Sequence, residues 1–195
     1  METLEKIFGS SAKVKIMRLF IFNPSEAYDA KTIATKSKVR PQDLRRELIT
    51  FAKMGLIKKK TFLADGKKKS GWTLNPAFSF LVPLENILTH LGPLNHQDLI
   101  KRISTAGKIK CIVVSGVFTK QWDGRVDILI VGDKVNKNVL QKVIRNIEAE
   151  IGKDLRYASL ATSEFQYRFS IGDKLIRDIF DYPHHVIFDK VGFAR

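Results

Sequence analysis

Apolar side chains recur at helical spacing three times in the first 75 residues, and then alternate. Val14, Met17, Leu19, Phe20 and Ile21 predict a helix over 12–22, capped by Ser10 or Ser11 and stopped by Asn23-Pro24. Asp29 can cap a second helix over 30–36, with Ile33 and Ala34 inward. A third is predicted over 41–54, because Pro41 suits a first turn and Gly55 a last one. At about 100° per residue, Leu44, Leu48, Phe51 and Gly55 share a narrow arc. Gln42, Arg46, Ile49 and Lys53 fall opposite, flanked by Asp43 and Arg45. Two strands follow, 56–63 and 71–74, with Trp72 and Leu74 alternating as in a half-buried strand. The loop between them, 64–70, carries Asp65-Gly66 and three lysines, Lys67, Lys68 and Lys69.

After Asn75-Pro76 the pattern is helical over 81–91, breaks at Gly92-Pro93, and is helical again over 98–104. Strand-like runs at 109–114 and 126–131 come next. A helix over 138–151 follows, with Leu140, Val143, Ile144 and Ile147 on one side. A third strand is expected over 156–161, a long helix over 163–180 bent near Gly172, and a short last strand over 185–188. The expected fold class is therefore α+β. Residues 1–75 form one domain, 76–106 a helical connector, and 107–195 an α/β domain. The connector can pack between the halves or against a second copy. No internal repeat or low-complexity tract is present.

Charge separates the two halves further. Of a formal net charge of +14, residues 1–75 carry 17 Lys/Arg against 7 Asp/Glu, a net of +10. Residues 76–195 carry 17 against 13, a net of +4. Such an excess favours a polyanionic partner, and it sits with the helix–turn–helix–hairpin order. Double-stranded DNA is the expected partner, because its major groove admits one helix with an apolar anchor and a polar outer face. Arg40, Gln42, Arg45 and Arg46 are the candidate base readers, since arginine forks match guanine edges and glutamine can bridge adenine edges. Lys53, Lys58, Lys60, Lys67, Lys68 and Lys69 are the candidate phosphate contacts. Asp43 would repel phosphate but can accept from a cytosine edge or orient Arg46. The plainer alternatives are a solvated basic face, or the same shape used for protein contacts.

Residues 8–75 resemble the winged helix-turn-helix transcription regulators, in particular the arsenic-repressor-like group. The resemblance rests on Ile33-Ala34, on Leu44-Arg45-Arg46-Glu47-Leu48, and on Gly55-Leu56-Ile57-Lys58 leading into the hairpin. It implies a sequence-specific regulator acting as a homodimer on inverted repeats. The metal-sensing cysteines of that group have no counterpart, so metal sensing is not implied.

The segment from Cys111 to Asp133 resembles the polymerase-β-type nucleotidyltransferases, with element order matching over about 95–190. That family has a small-residue pair after one strand and an Asp-x-Asp pair on the next. The acids hold two Mg²⁺ ions that bridge nucleotide phosphates. Ser115-Gly116 stands for the small pair and Asp127 for the first acid, but the second position is Leu129. The third strand, 156–161, has no acid at all. Asp123 and Asp133 are expected on turns at strand ends. One carboxylate cannot hold two ions, so the domain is expected to be inactive, with no cofactor and no metal. Ser115, Gly116 and Asp127 could persist as a vestigial nucleotide site. The rival is an active Mg²⁺-dependent nucleotidyltransferase with a nucleic-acid-binding winged helix.

Other chemistry is thin. Cys111, the single cysteine, lies in an apolar run and reads as a core residue. Ser115 lacks the sharp strand-to-helix setting of a nucleophile elbow. His184 and His185, being adjacent in a strand, would point to opposite faces, so they are expected to be surface or turn residues and not shared metal ligands. No signal peptide and no run of about 20 apolar residues is evident, so a cytoplasmic protein without membrane contact is expected. A small-molecule or nucleotide effector remains open as a further partner.

Overall fold

Short polar side chains set most of the helix starts. The computed structural model describes residues 2–90, 95–119, 121 and 124–192. They form an α+β molecule of two units, 1–94 with 145–153, and 95–144 with 154–195.

In the first unit α1 (Glu2–Phe8) precedes α2 (Ser11–Ile21), whose N-cap Ser10 accepts from the Lys13 N–H at 3.2 Å. Nothing in the pattern signalled α1, which has only seven residues and one buried leucine, Leu4. After β1 (Ala27–Tyr28), Asp29 caps α3 (Ala30–Ser37) by accepting from the Thr32 N–H at 2.7 Å. Next come α4 (Pro41–Met54), β2 (Ile57–Ala64), β3 (Lys67–Leu74) and α5 (Leu81–His90). The strands form one antiparallel sheet in the order β1-β3-β2. Phe20, Ile33, Leu44, Leu48, Phe51 and Leu56 meet in its core. Arg18 is fully buried there; its guanidinium donates to the Glu150 carbonyl (3.0 Å) and the Leu88 carbonyl (3.3 Å). Burial lowers its pKa to about 10 against the opposing pull of Glu150.

The hairpin corrects one expectation. Ala64 pairs directly with Lys67, so the connection is only Asp65 and Gly66, at φ 53° and 71°. Two left-handed residues in succession give the turn whose twist matches an antiparallel pair. Asp tolerates that region and Gly has no Cβ to clash. Lys67, Lys68 and Lys69 therefore lie in β3 and not in a loop. Their unbroken charge hides the alternation that would have marked a strand.

The second unit holds α6 (His96–Ser104), β4 (Lys108–Val114), a 3₁₀ turn (Gly116–Thr119) and β5 (Ile128–Asp133). Then come α7 (Lys137–Ile151), β6 (Tyr157–Leu160), α8 (Thr162–Ser170), α9 (Lys174–Phe180) and β7 (His185–Asp189). From Arg145 onward, α7 belongs with the first unit. The sheet order is β6-β5-β4-β7, with β5 and β6 parallel and the other pairs antiparallel. Parallel pairing requires a crossover, and α7 supplies it. Cys111, Val113, Leu129 and Val131 face Phe165, Ile176 and Ile179 on one side. Ile112, Val114, Ile128 and Ile130 are equally buried, so β4 and β5 are covered on both faces. The single helix expected over 163–180 is two helices: the chain breaks at Ile171-Gly172 and Asp173 caps the second. The expected break at Gly92-Pro93 and the residue Asp123 lie outside the described residues. Among the described residues, no helix is long and apolar enough to cross a membrane.

Candidate nucleic-acid interface

Helix α4 has three faces. Leu44, Leu48 and Phe51 are buried and lock it to the core. At about 100° per residue, Gln42, Arg46 and Lys53 cluster on a second arc, and all three are exposed. Between these arcs lies a third strip, Pro41, Arg45, Ile49 and Ala52, which lines a groove. Sequence periodicity separates the first two faces; the third becomes visible only when β2 and β3 are folded beside the helix.

The arginines differ in their surroundings. Arg40, at the N-cap, is 85% exposed, and its Nε donates to Asp43 Oδ2 at 2.9 Å. Arg46 lies 3.5 Å from Asp43 and 3.2 Å from Glu47, and stays well exposed. Asp43 thus sits beside Arg46 as an orienting group could. Glu47 did not stand out in the sequence. It is only 3% exposed and is faced by Arg46 and, at 3.9 Å, by Lys13. A signal was present all the same: one charged residue at the edge of the apolar arc of α4 needs a cationic partner. Arg45 takes part in no ion pair among the described residues.

On the hairpin, Lys58, Lys60, Lys67 and Lys68 are exposed, as is Lys53 on α4. Lys69 is different. Its ammonium is 2.9 Å from Asp65 and 3.7 Å from Asp29, so two carboxylates already balance it. The hydrogen bond to Asp65 raises its pKa, and the Thr32 N–H lowers that of Asp29.

In the second unit, Asp127 directly precedes β5 and is fully buried. The Val117 N–H donates to its Oδ1 at 3.0 Å, and the Arg156 N–H to its Oδ2 at 2.8 Å. The Arg156 side chain adds Nε at 3.2 Å and Nη2 at 3.4 Å. Ser115 Oγ donates to the Val126 carbonyl at 2.6 Å. Gly116, at φ 53°, lets the turn close over this carboxylate, since a Cβ there would lie 2.2 Å from Asp127 Oδ1. Ser115, Gly116 and Asp127 thus come together, as their order implied. Arg156 was not foreseen, because it enters from the residue before β6. These residues do not fit a pair of divalent ions. Among the described residues Asp127 is the one carboxylate here and is filled by N–H donors, Leu129 is buried in β5, and a guanidinium supplies the positive charge.

Asp133 ends β5, where it pairs with Lys110 at 3.1 Å and accepts from the Thr162 N–H at 3.1 Å. The backbone bond from Thr162 is the main cause of its lowered pKa. Cys111 is buried, and desolvation pushes its thiol up to about 12. His184 lies just before β7, its Nδ1 2.8 Å from the Tyr182 carbonyl. Among the described residues, no group of three or more His, Cys, Asp or Glu is placed to hold a metal ion. No protein-family model, curated protein or solved structure matches the chain.

Proposed function

We propose that the chain is a sequence-specific regulator that binds double-stranded DNA. Its first unit acts as a winged helix-turn-helix: α3 and α4 are the helix pair, and β2 and β3 are the wing. The observation that carries this reading is the division of α4. One arc is buried to the last leucine, while Gln42, Arg46 and Lys53 stand exposed on another. Exposed lysines on the adjacent hairpin suit phosphates on either side of a groove. Arg40, Gln42, Arg45 and Arg46 read bases, with Asp43 orienting Arg46. Lys53, Lys58, Lys60, Lys67 and Lys68 hold phosphates, and Lys69 contributes less because Asp65 and Asp29 balance it.

The second unit is read as a nucleotidyltransferase-like domain without transferase chemistry, serving dimerisation or effector binding. The closed Asp127–Arg156 pair supports this. A homodimer would place two α4 helices in successive major grooves, about 34 Å apart on an inverted repeat.

Selection of bound duplexes from a random pool tests the function directly. A symmetric motif is expected; recovery of no motif rejects sequence-specific reading. On the selected duplex, Arg45→Ala with Arg46→Ala should lower affinity by about tenfold or more, as removal of a bidentate base contact does. Scrambled DNA should lose much less, and equal losses on the two would remove these arginines from base reading. Labelled-nucleotide incorporation that vanishes in an Asp127→Asn chain whose circular dichroism is unchanged would replace the inactive-domain reading with an enzyme.

A further inference from the structure

The third strip of α4 forms one wall of a groove of about 680 Å³. Its other walls are α3 and the inner face of the hairpin. The space exists because the side chains there are short: Ala30 and Ala34 on α3, and Ala52 on α4. Leu44, Leu48 and the half-exposed Ile49 make the floor apolar, and the Trp72 ring forms the hairpin side. Three polar heads complete the lining, and all are cations: Lys31, Arg45 and Lys59. Among the described lining residues none is acidic, and none of these three cations is ion-paired.

We infer that this groove binds an amphipathic carboxylate, a small molecule with an apolar chain or ring system and one anionic end. Volume and lining fit that class: small-molecule clefts occupy about 300–1,000 Å³ and are apolar with a few convergent polar groups. Here the polar groups share one sign, and Arg45 offers the planar fork that matches a carboxylate. The groove runs along α4 from Pro41 to Ala52, about 16 Å at the helical rise, which suits a medium-length chain. Duplex DNA is a poor occupant of the floor, because base edges and phosphates present mainly hydrogen-bonding groups there.

A regulatory consequence follows from Arg45, which lines the groove and is also a base-reading candidate. An occupied groove draws Arg45 to the carboxylate and weakens duplex binding. That competition rests on the DNA-binding function proposed above; the ligand site does not.

Dodecanoate is the probe, with its uncharged alcohol as the control. The chain has two tryptophans, so Trp122→Phe leaves Trp72 as the single reporter. Titration below the micellar range should give a saturable shift of Trp72 emission. The alcohol should bind about tenfold more weakly, the size of one charge-assisted contact. Lys31→Ala with Lys59→Ala, both at the surface, should remove most of that preference. Ala34→Leu with Ala52→Leu should fill the groove and abolish the shift in a chain whose circular dichroism is unchanged. If the filled variant does not fold, the lysine pair decides.

No saturable shift, equal affinity for acid and alcohol, or full preference in the lysine pair would overturn the site. So would a dimer that dodecanoate dissociates, since a second copy would then be the natural occupant. A positive titration on a chain that binds no duplex keeps the site and removes the DNA reading. Duplex binding without a titration does the reverse.

Discussion

Asp127 shows how one side chain is committed by its neighbours. Four N–H groups from Val117 and Arg156 converge on a carboxylate with no exposed surface. Asparagine would turn an NH₂ toward one of those donors and discard the charge. Asp127→Asn is therefore expected to lower stability by about 2–3 kcal/mol, read as a shift of the urea midpoint. An unchanged midpoint would mean that these hydrogen bonds carry no net energy. Asp29 presents a milder case with a pH signature. The Thr32 N–H depresses its pKa below the ordinary 3.8, so the cap contributes fully above that value and is lost as pH falls through the folded pKa. Asp29→Ala should cost about 1 kcal/mol at neutral pH. The gap between variant and parent should close in acid, and a gap that persists there would assign the cost to something other than the carboxylate. Asp29 as a cap was legible in the sequence, since an N-cap needs only its own three neighbours. Arg156 beside Asp127 was not, because 29 residues separate them.

At the scale of elements, α4 and the hairpin divide the work differently than periodicity alone suggests. The helix was legible almost to the residue: Pro41 at its start, Gly55 at its end and leucines on one arc. The hairpin was legible as two strands but not in its register, because consecutive lysines mask alternation. With the turn reduced to Asp65-Gly66, Lys67 and Lys68 are held on a paired strand. Ordered cations facing phosphate should act as fixed charges. Replacing both by alanine is expected to flatten the logarithmic salt dependence of duplex binding by about 2, since each phosphate no longer neutralised takes roughly 0.9 from the slope. Specific and scrambled duplexes should weaken together. A slope that stays unchanged would place the hairpin away from the backbone.

For the whole molecule, the asymmetry of charge is the strongest constraint. Residues 1–75 hold a net +10 of the total +14. Lys53, Lys58, Lys60, Lys67 and Lys68 are exposed within that excess. Five such cations on phosphates would give a salt slope of about −4.5, measured by titrating affinity against monovalent salt. A slope near −1 would leave most of them idle and reject the proposed footprint. Composition and local order determined that excess, the mixed α+β class, the helix caps and the apolar face of α4, because each depends on neighbours within a few turns. Folding alone decided three other things: that Glu47 is buried beside Arg46, that Arg156 closes over Asp127, and that three alanines open a cation-lined groove under the hairpin. Those outcomes depend on which distant side chains converge, and on how large each one is, and spacing along a chain specifies neither.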